Sequence, residues 1–161
     1  MKILVNKLKH HPLNKDIYEL SSIDELSKSI KEMGLLEPLV IDQKNQVISG
    51  NRRLEAIRKL GLKEIEVKRI DVSDEEVGLH LVHYNKYRTK TVRELLNESD
   101  VLEKSVHMNT KGRKRDLISK ELGIASSRLG KLRLIQKQDD DLINLIDQDI
   151  LTVGQAYLQV Q

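Results

Sequence analysis

Ser29-Ile30-Lys31-Glu32-Met33-Gly34-Leu35-Leu36-Glu37-Pro38-Leu39-Val40-Ile41 and, after residues 42–49, Gly50-Asn51-Arg52-Arg53-Leu54-Glu55-Ala56 form the stretch on which the fold is read. Ile23, Leu26, Ile30 and Met33 recur at helical spacing. Ser22 with Glu25 three residues on reads as a capping box opening that helix, and Gly34 closes it. Leu39-Val40-Ile41 reads as a buried strand, Asp42-Gln43-Lys44-Asn45 as a hairpin turn, and Gln46-Val47-Ile48 as the return strand. A second helix then carries Leu54, Ile57 and Leu60 and is stopped by Gly61.

Outward from this centre, residues 2–8 read as a short strand and His10-His11-Pro12-Leu13-Asn14 as a turn. Ile65 to Ile70 alternates as a strand, and a helix is expected from about Asp74 to Tyr87. Beyond it everything reads as helix. Thr91 caps a segment to about Val106, followed by segments over 113–122, 126–137 and 139–147, and by one that Thr152 begins. There is no internal repeat, low-complexity stretch or long linker. The expectation is an α+β domain with a small mixed sheet over residues 1–90, followed by an all-α domain over 91–161.

Composition narrows the chemistry. The 161 residues contain no cysteine, which excludes disulfides, thiolate metal sites and thiol nucleophiles. Tyrosine is the only aromatic type, with 4 copies, so a broad stacking platform for single strands is not expected. No apolar run approaches about 18 residues, and Met1 to Asn6 does not read as a signal peptide. A cytoplasmic protein with no membrane partner is the expectation. The net charge of +3 is unevenly spread. Residues 1–103 balance 18 Lys/Arg against 18 Asp/Glu, residues 104–137 hold 10 against 2, and residues 138–161 hold none against 5. A basic block of this kind suits either a polyanion or a solvated helix face beside a complementary one.

The junction Ser49-Gly50-Asn51-Arg52-Arg53 follows a strand and opens a helix. Glycine permits close backbone approach, the helix N-terminus presents free N–H groups, and paired arginines supply fork-shaped donors. That is a phosphate-binding arrangement; a glycine turn followed by arginines paired with surface acids is the plain alternative. The patterns S-I-x-x-x-G-L-x-x-P-x-x-V and G-x-R-R-x-x-A, spanning Ser29 to Ala56, resemble those of the N-terminal domain in the ParB/sulfiredoxin superfamily. Sulfiredoxin needs a cysteine beside this glycine, which sets that branch aside. A second ParB box, E-N-x-x-R, is matched by Tyr84-Asn85-Lys86-Tyr87-Arg88, with Asn85 and Arg88 kept.

The resemblance implies CTP held with Mg²⁺ between the two boxes, by Gly50, Asn51, Arg52, Arg53, Asn85 and Arg88. Asn51 and Tyr84 stand where the family carries glutamates, and Mg²⁺ prefers carboxylate oxygens. At most a slow CTPase is implied, and no catalytic residue or metal ligand is assigned.

Residues 115–134 fit a helix-turn-helix template, with Ile118, Leu122, Ile124, Leu129 and Leu132 at its apolar positions and Gly123 at the turn. Ser119 replaces the small alanine usual where the helices touch, and Ser126 or Ser127 is expected to cap the second helix. Ser126, Ser127, Arg128, Lys131 and Arg133 would face base edges, and Lys111, Arg113, Lys114 and Arg115 backbone phosphates. A helical hairpin making only protein contacts is the alternative. Leu142 to Ala156 then matches L-x-x-L-I-x-x-x-x-L-T-x-G-x-A, which resembles the pattern that follows the recognition helix in ParB/KorB-like domains.

The resemblance, now covering about residues 3–161, implies a sequence-specific, nucleoid-associated protein binding double-stranded DNA. It would act in plasmid or chromosome partition or mobile-element maintenance, as a dimer and a CTP-gated clamp, with a ParA-type ATPase as further partner. A nucleotide-free transcriptional regulator, and a ParB-fold kinase or nuclease drawing a carboxylate from Glu19, Asp24, Glu25 or Glu55, are the alternatives. His10-His11 and the pair His80 and His83 read as inert, Tyr84 and Tyr87 as packing residues, and Tyr157 as part of the terminal helices.

Overall fold

A computed structural model describes residues 1–105 and 111–161, with the side chains of 111–113 outside that description. The chain divides into two compact units, Met1–Tyr84 and Asn85–Gln161.

The first unit is built on a five-stranded mixed sheet. Its strands are β1 (Lys2–Leu4), β2 (Lys9–His10), β3 (Leu39–Ile41), β4 (Gln46–Ser49) and β5 (Glu64–Arg69), in the order β1-β5-β3-β4-β2. β1 runs antiparallel to β5, β5 parallel to β3, β3 antiparallel to β4, and β4 parallel to β2. Helices α1 (Pro12–Ile17), α2 (Ile23–Met33), α3 (Asn51–Lys59) and α4 (Val77–Tyr84) complete the unit. Central β3 is buried on both faces, which explains its unbroken apolar run. Leu39, Ile41 and Val47 join Ile30, Leu54 and Ile57 in one core cluster, while Val40 and Ile48 join Val77 and Leu81 in another. The sheet is therefore covered on both faces, and α3 is seated by Leu54, Ala56 and Ile57.

Four local expectations need correction. The strand over residues 2–8 is interrupted by a 3-10 turn at Val5–Lys7, because Val5 N turns to Lys63 O and Leu8 N back to Val5 O. The proposed turn at 10–14 starts a helix instead: Pro12 sits in its first turn and His11 Nδ1 accepts from Leu13 N at 3.2 Å. Ser22 makes no capping bond; its backbone is left-handed at φ 55°, a geometry its side chain cannot cap from. Helix α4 is also shorter than the 74–87 expected.

The second unit contains α5 (Val92–Ser105), α6 (Lys111–Leu122), α7 (Ser126–Gln138), α8 (Asp141–Asp147) and α9 (Val153–Gln159). The expected end of α5 at Val106 lies outside the described residues. Thr91 Oγ1 accepts from Glu94 N while Glu94 Oε2 accepts from Thr91 N, a full capping box on α5. Thr152 and Gln155 form another on α9. Val92, Leu96, Leu132, Ile135, Leu142, Ile143, Ile146 and Ala156 make the core. Among the described residues no helix is long and apolar enough to cross a membrane.

Candidate functional site

Strand β4 delivers the chain to Gly50, which adopts φ 99° and ψ 27° and starts α3 without any side-chain cap. The first N–H groups of α3 are thus left for a ligand or solvent. A Cβ at Gly50 would stand 3.0 Å from Leu39 Cγ and 3.1 and 3.2 Å from Arg53 Nε and Nη2. The Arg53 guanidinium therefore lies directly over the glycine. Its Nη1 donates to Glu37 O at 2.6 Å and Pro38 O at 3.4 Å. The Glu37 carboxylate lies 3.5 Å away. Burial pulls this guanidinium below its ordinary value and Glu37 pulls it back up. Arg52 Nε donates to Ser21 O at 2.7 Å. Both arginines thus hold main-chain carbonyls flanking α2: Ser21 before it and Glu37 and Pro38 after it.

Asn51 points the other way. It is buried, its Nδ2 donates to Val47 O at 3.2 Å, and its Oδ1 lies 2.6 Å from His10 Nδ1. His10 Nε2 in turn lies 2.7 Å from Glu55 Oε1, and Arg58 Nη1 donates to the same oxygen at 2.8 Å. Burial raises the Glu55 carboxyl, but the hydrogen bonds from His10 and Arg58 outweigh it and leave it below the ordinary value. Arg58 Nη2 closes the chain of contacts on Leu8 O at 2.8 Å. Read as inert from sequence, His10 is the centre of a partly buried polar cluster. No local pattern signals it, since its partners lie 41 and 45 residues away.

Asn85 and Arg88 belong to the second unit, where Arg88 Nη2 donates to buried Glu94 at 2.8 Å. Tyr84 ends α4 within ring contact of His80 and His83, and Tyr87 is 97% exposed. The packing expected of Tyr87 is therefore corrected: its ring stands in solvent.

In the second unit α6 and α7 are joined by a tight turn at Gly123, φ 71°. Neither serine caps α7. Ala125 occupies the N-cap, and Ser126 Oγ donates to Asp116 Oδ1 at 2.7 Å, pinning α7 to α6. Ser127, Arg128 and Lys131 are exposed, as is Arg115; Lys114 is half-buried. Lys131 Nζ stands 5.1 Å above the Tyr157 ring. Arg133 turns inward to α5, donating to Ser99 Oγ at 2.7 Å and pairing with Glu103 at 2.9 Å and Asp100 at 3.2 Å. The side chains of Lys111 and Arg113 lie outside the described residues.

A mixed sheet whose glycine turn feeds a helix carrying two arginines in its first turn, followed by a helical unit, defines an α+β protein. Residues 2–85 match the family described as the ParB N-terminal domain, more than half of the chain, and the chain belongs to that family. A probable chromosome-partitioning protein ParB of Campylobacter jejuni subsp. jejuni is 32% identical over 122 residues, 73% of this chain and 43% of that protein. The chain spans less than half the length of the curated chromosome-partitioning relatives it matches. A Pnob8-like ParB-N domain aligns with TM-score 0.74 at 17% identity, over 98% of this chain and 77% of its own. The C-terminally truncated ParB of Caulobacter crescentus, complexed to the centromeric parS site, aligns with TM-score 0.65 at 19% identity, over 99% of this chain and 84% of its own. At these identities the two structures establish the shared fold.

Proposed function

We propose that this chain is the nucleotide- and DNA-binding part of a ParB-type protein that binds double-stranded DNA at a specific site, in partition or mobile-element maintenance. The turn at Gly50 takes the phosphates of a nucleotide, CTP by resemblance, and α6 and α7 take the DNA. The carrying observation is Arg53. Its guanidinium is already desolvated and fixed over Gly50 by two carbonyls, with Nε and Nη2 on the glycine side. A donor held this way loses little further freedom when a phosphate arrives. Asn85 and Arg88 complete the set by resemblance to the second box. The exposed Arg115, Ser127, Arg128 and Lys131 supply the DNA face, with Lys114, Lys111 and Arg113 extending it, while Ser126 and Arg133 support α7 from behind. The relatives named above, one a probable partitioning protein and one complexed to its DNA site, favour this reading. Self-association on DNA, a ParA-type ATPase partner and a place at the nucleoid follow from the same resemblance.

Mg²⁺ does not fit the residues present. The position held by a glutamate in the family is Asn51, an amide turned inward and bonded to Val47 and His10. Among the described residues no three His, Cys, Asp or Glu are grouped to hold a metal ion. No step is routed through a metal.

The test is DNA capture from a genomic fragment library with and without CTP. Replacing Arg128 and Lys131 together by alanine is expected to abolish enrichment of a discrete site. An unchanged enrichment pattern would overturn the assignment of α7. A second reading, a regulator that binds no nucleotide, is favoured by Arg52 and Arg53 both being engaged by carbonyls. Calorimetry with CTP, using Arg53→Ala as control, separates the two: heat lost in the variant supports the nucleotide site, and no heat in either supports the regulator.

A further inference from the structure

We propose that His10 is a positioning residue for the Gly50 turn, acting as a doubly hydrogen-bonded imidazolium that braces the first two turns of α3 and makes phosphate binding there proton-linked. This rests on the reading of that turn as a phosphate site.

The protonation state follows from the partners. Asn51 Nδ2 donates to Val47 O, so Asn51 Oδ1 is the atom facing His10 Nδ1 at 2.6 Å. Flipping the amide would set oxygen against oxygen at Val47. Glu55 Oε1 accepts from Arg58 and faces His10 Nε2 at 2.7 Å. Both ring nitrogens therefore face acceptors, and only the form with a proton on each nitrogen satisfies both. The neutral ring would leave one nitrogen lone pair against an oxygen at hydrogen-bond distance.

The placement gives the bridge its consequence. His10 sits on β2, paired in register with Val47 of β4, the strand that leads into Gly50. Asn51 and Glu55 lie one turn apart on α3 and share the face toward β2. The imidazolium thus ties strand and helix on both sides of the turn whose N–H groups and arginines face the phosphate. The charged groups around it are few. From α3 come Glu55 and, behind it, Arg58; β2 adds Lys9, and β4 brings no titratable side chain. The Glu55 carboxylate holds the remaining proton on Nε2, so the proton lost is the one on Nδ1, and with it goes the His10 hydrogen bond to Asn51 at the start of α3.

The experiment measures binding of CTP and of inorganic triphosphate to the full chain from about pH 5.5 to about pH 8.5, the range in which an imidazole changes charge. Wild type, His10→Gln and Glu55→Gln are compared. The ratio of wild-type to His10→Gln affinity cancels the titration of the ligand's own phosphates. It is expected to fall from about tenfold at the acid end to near one at the alkaline end, the worth of one charge-assisted hydrogen bond. Glu55→Gln keeps an acceptor oxygen but removes the carboxylate, and is expected to move the transition to lower pH. In parallel, the Asn51 side-chain amide is followed by NMR, and its shift should track the His10 ring titration in wild type and lose that step in His10→Gln. An affinity ratio constant with pH, or an Asn51 signal blind to His10, overturns the proposal. Absence of phosphate binding at every pH overturns the phosphate reading itself, and the Asn51 signal alone then decides the brace.

Discussion

Replacing Gly50 by alanine tests the geometry of the turn directly. Two costs add. An L-residue in the left-handed region costs about 1–2 kcal/mol, and φ 99° lies outside the small window such residues tolerate. The new methyl would then meet Leu39 Cγ at 3.0 Å and Arg53 at 3.1 and 3.2 Å. Leu39 is fully buried on the central strand and has nowhere to retreat; overpacking of this kind costs about 1–3 kcal/mol. Arg53 can move, but only by leaving the carbonyls of Glu37 and Pro38. Stiffening of the unfolded chain returns about 0.4–1 kcal/mol. The net is a loss of roughly 1–5 kcal/mol. For a unit of this size each kcal/mol lowers Tm by about 4–8 °C, so the first unit should melt at least about 4 °C earlier. Gly61→Ala is the internal control. Gly61 also has a positive φ, 70°, but a Cβ there meets nothing within 4 Å, so only the backbone cost applies. Thermal and urea denaturation of wild type and both variants provide the measurement. If Gly50→Ala costs no more than Gly61→Ala, the close approach of Leu39 and Arg53 to the turn is refuted.

Other consequences are more local. Ser119, 2% exposed where α6 packs, has a hydroxyl with no partner among the described residues, so Ser119→Ala should raise stability by about 1 kcal/mol in urea melts. Asp147 accepts from Val92 N and Arg93 N, capping α5 from α8, so Asp147→Ala should cost about 1–2 kcal/mol, with early exchange of the first α5 amides. Burial holds the His11 imidazole below its ordinary value, with Asp42 opposing. The unfolded chain therefore takes up the proton first: this contribution is present above about pH 6.5 and is lost as pH falls below it. His11→Asn, which can still cap α1, should show a flatter Tm profile between about pH 7 and pH 5 than wild type, and an equally steep profile would refute the assignment.

Much of this architecture is legible in sequence because its signals are short-range. The helix carrying Ile23, Leu26 and Ile30, the hairpin at 42–45 and the capping boxes at Thr91 and Thr152 all rest on residues within a turn or two of each other. What sequence concealed depends on distant partners. Ser22 has the residue type of a cap, but its backbone lies at φ 55°, beside a Ser21 carbonyl that accepts from Arg52, 31 residues away, and no cap forms. Ser126 likewise caps nothing, because it is the first helical residue of α7 and Ala125 holds the N-cap; its hydroxyl instead donates to Asp116 on the preceding helix. His10 meets Asn51 and Glu55 only through the parallel pairing of β2 with β4, and no local pattern announces that pairing.

The charge blocks illustrate the same division. A basic segment followed by an acidic one suggests two faces that neutralise each other. Three of the five acidic residues of 138–161 are engaged within the unit: Asp140 pairs with Arg93 at 2.5 Å, Asp147 caps α5, and Asp139 accepts from Asp141 N. They secure α5 and α8, not the basic block. Within that block Arg133 is bound to the acids of α5, so its charge is spent inside the unit. Arg115 and Arg128 are exposed, and Lys131 stands over a tyrosine ring. A cation over an aromatic face keeps its full charge toward solvent. Among the described residues, the exposed cations Arg115, Arg128 and Lys131 lie on α6 and the first turns of α7.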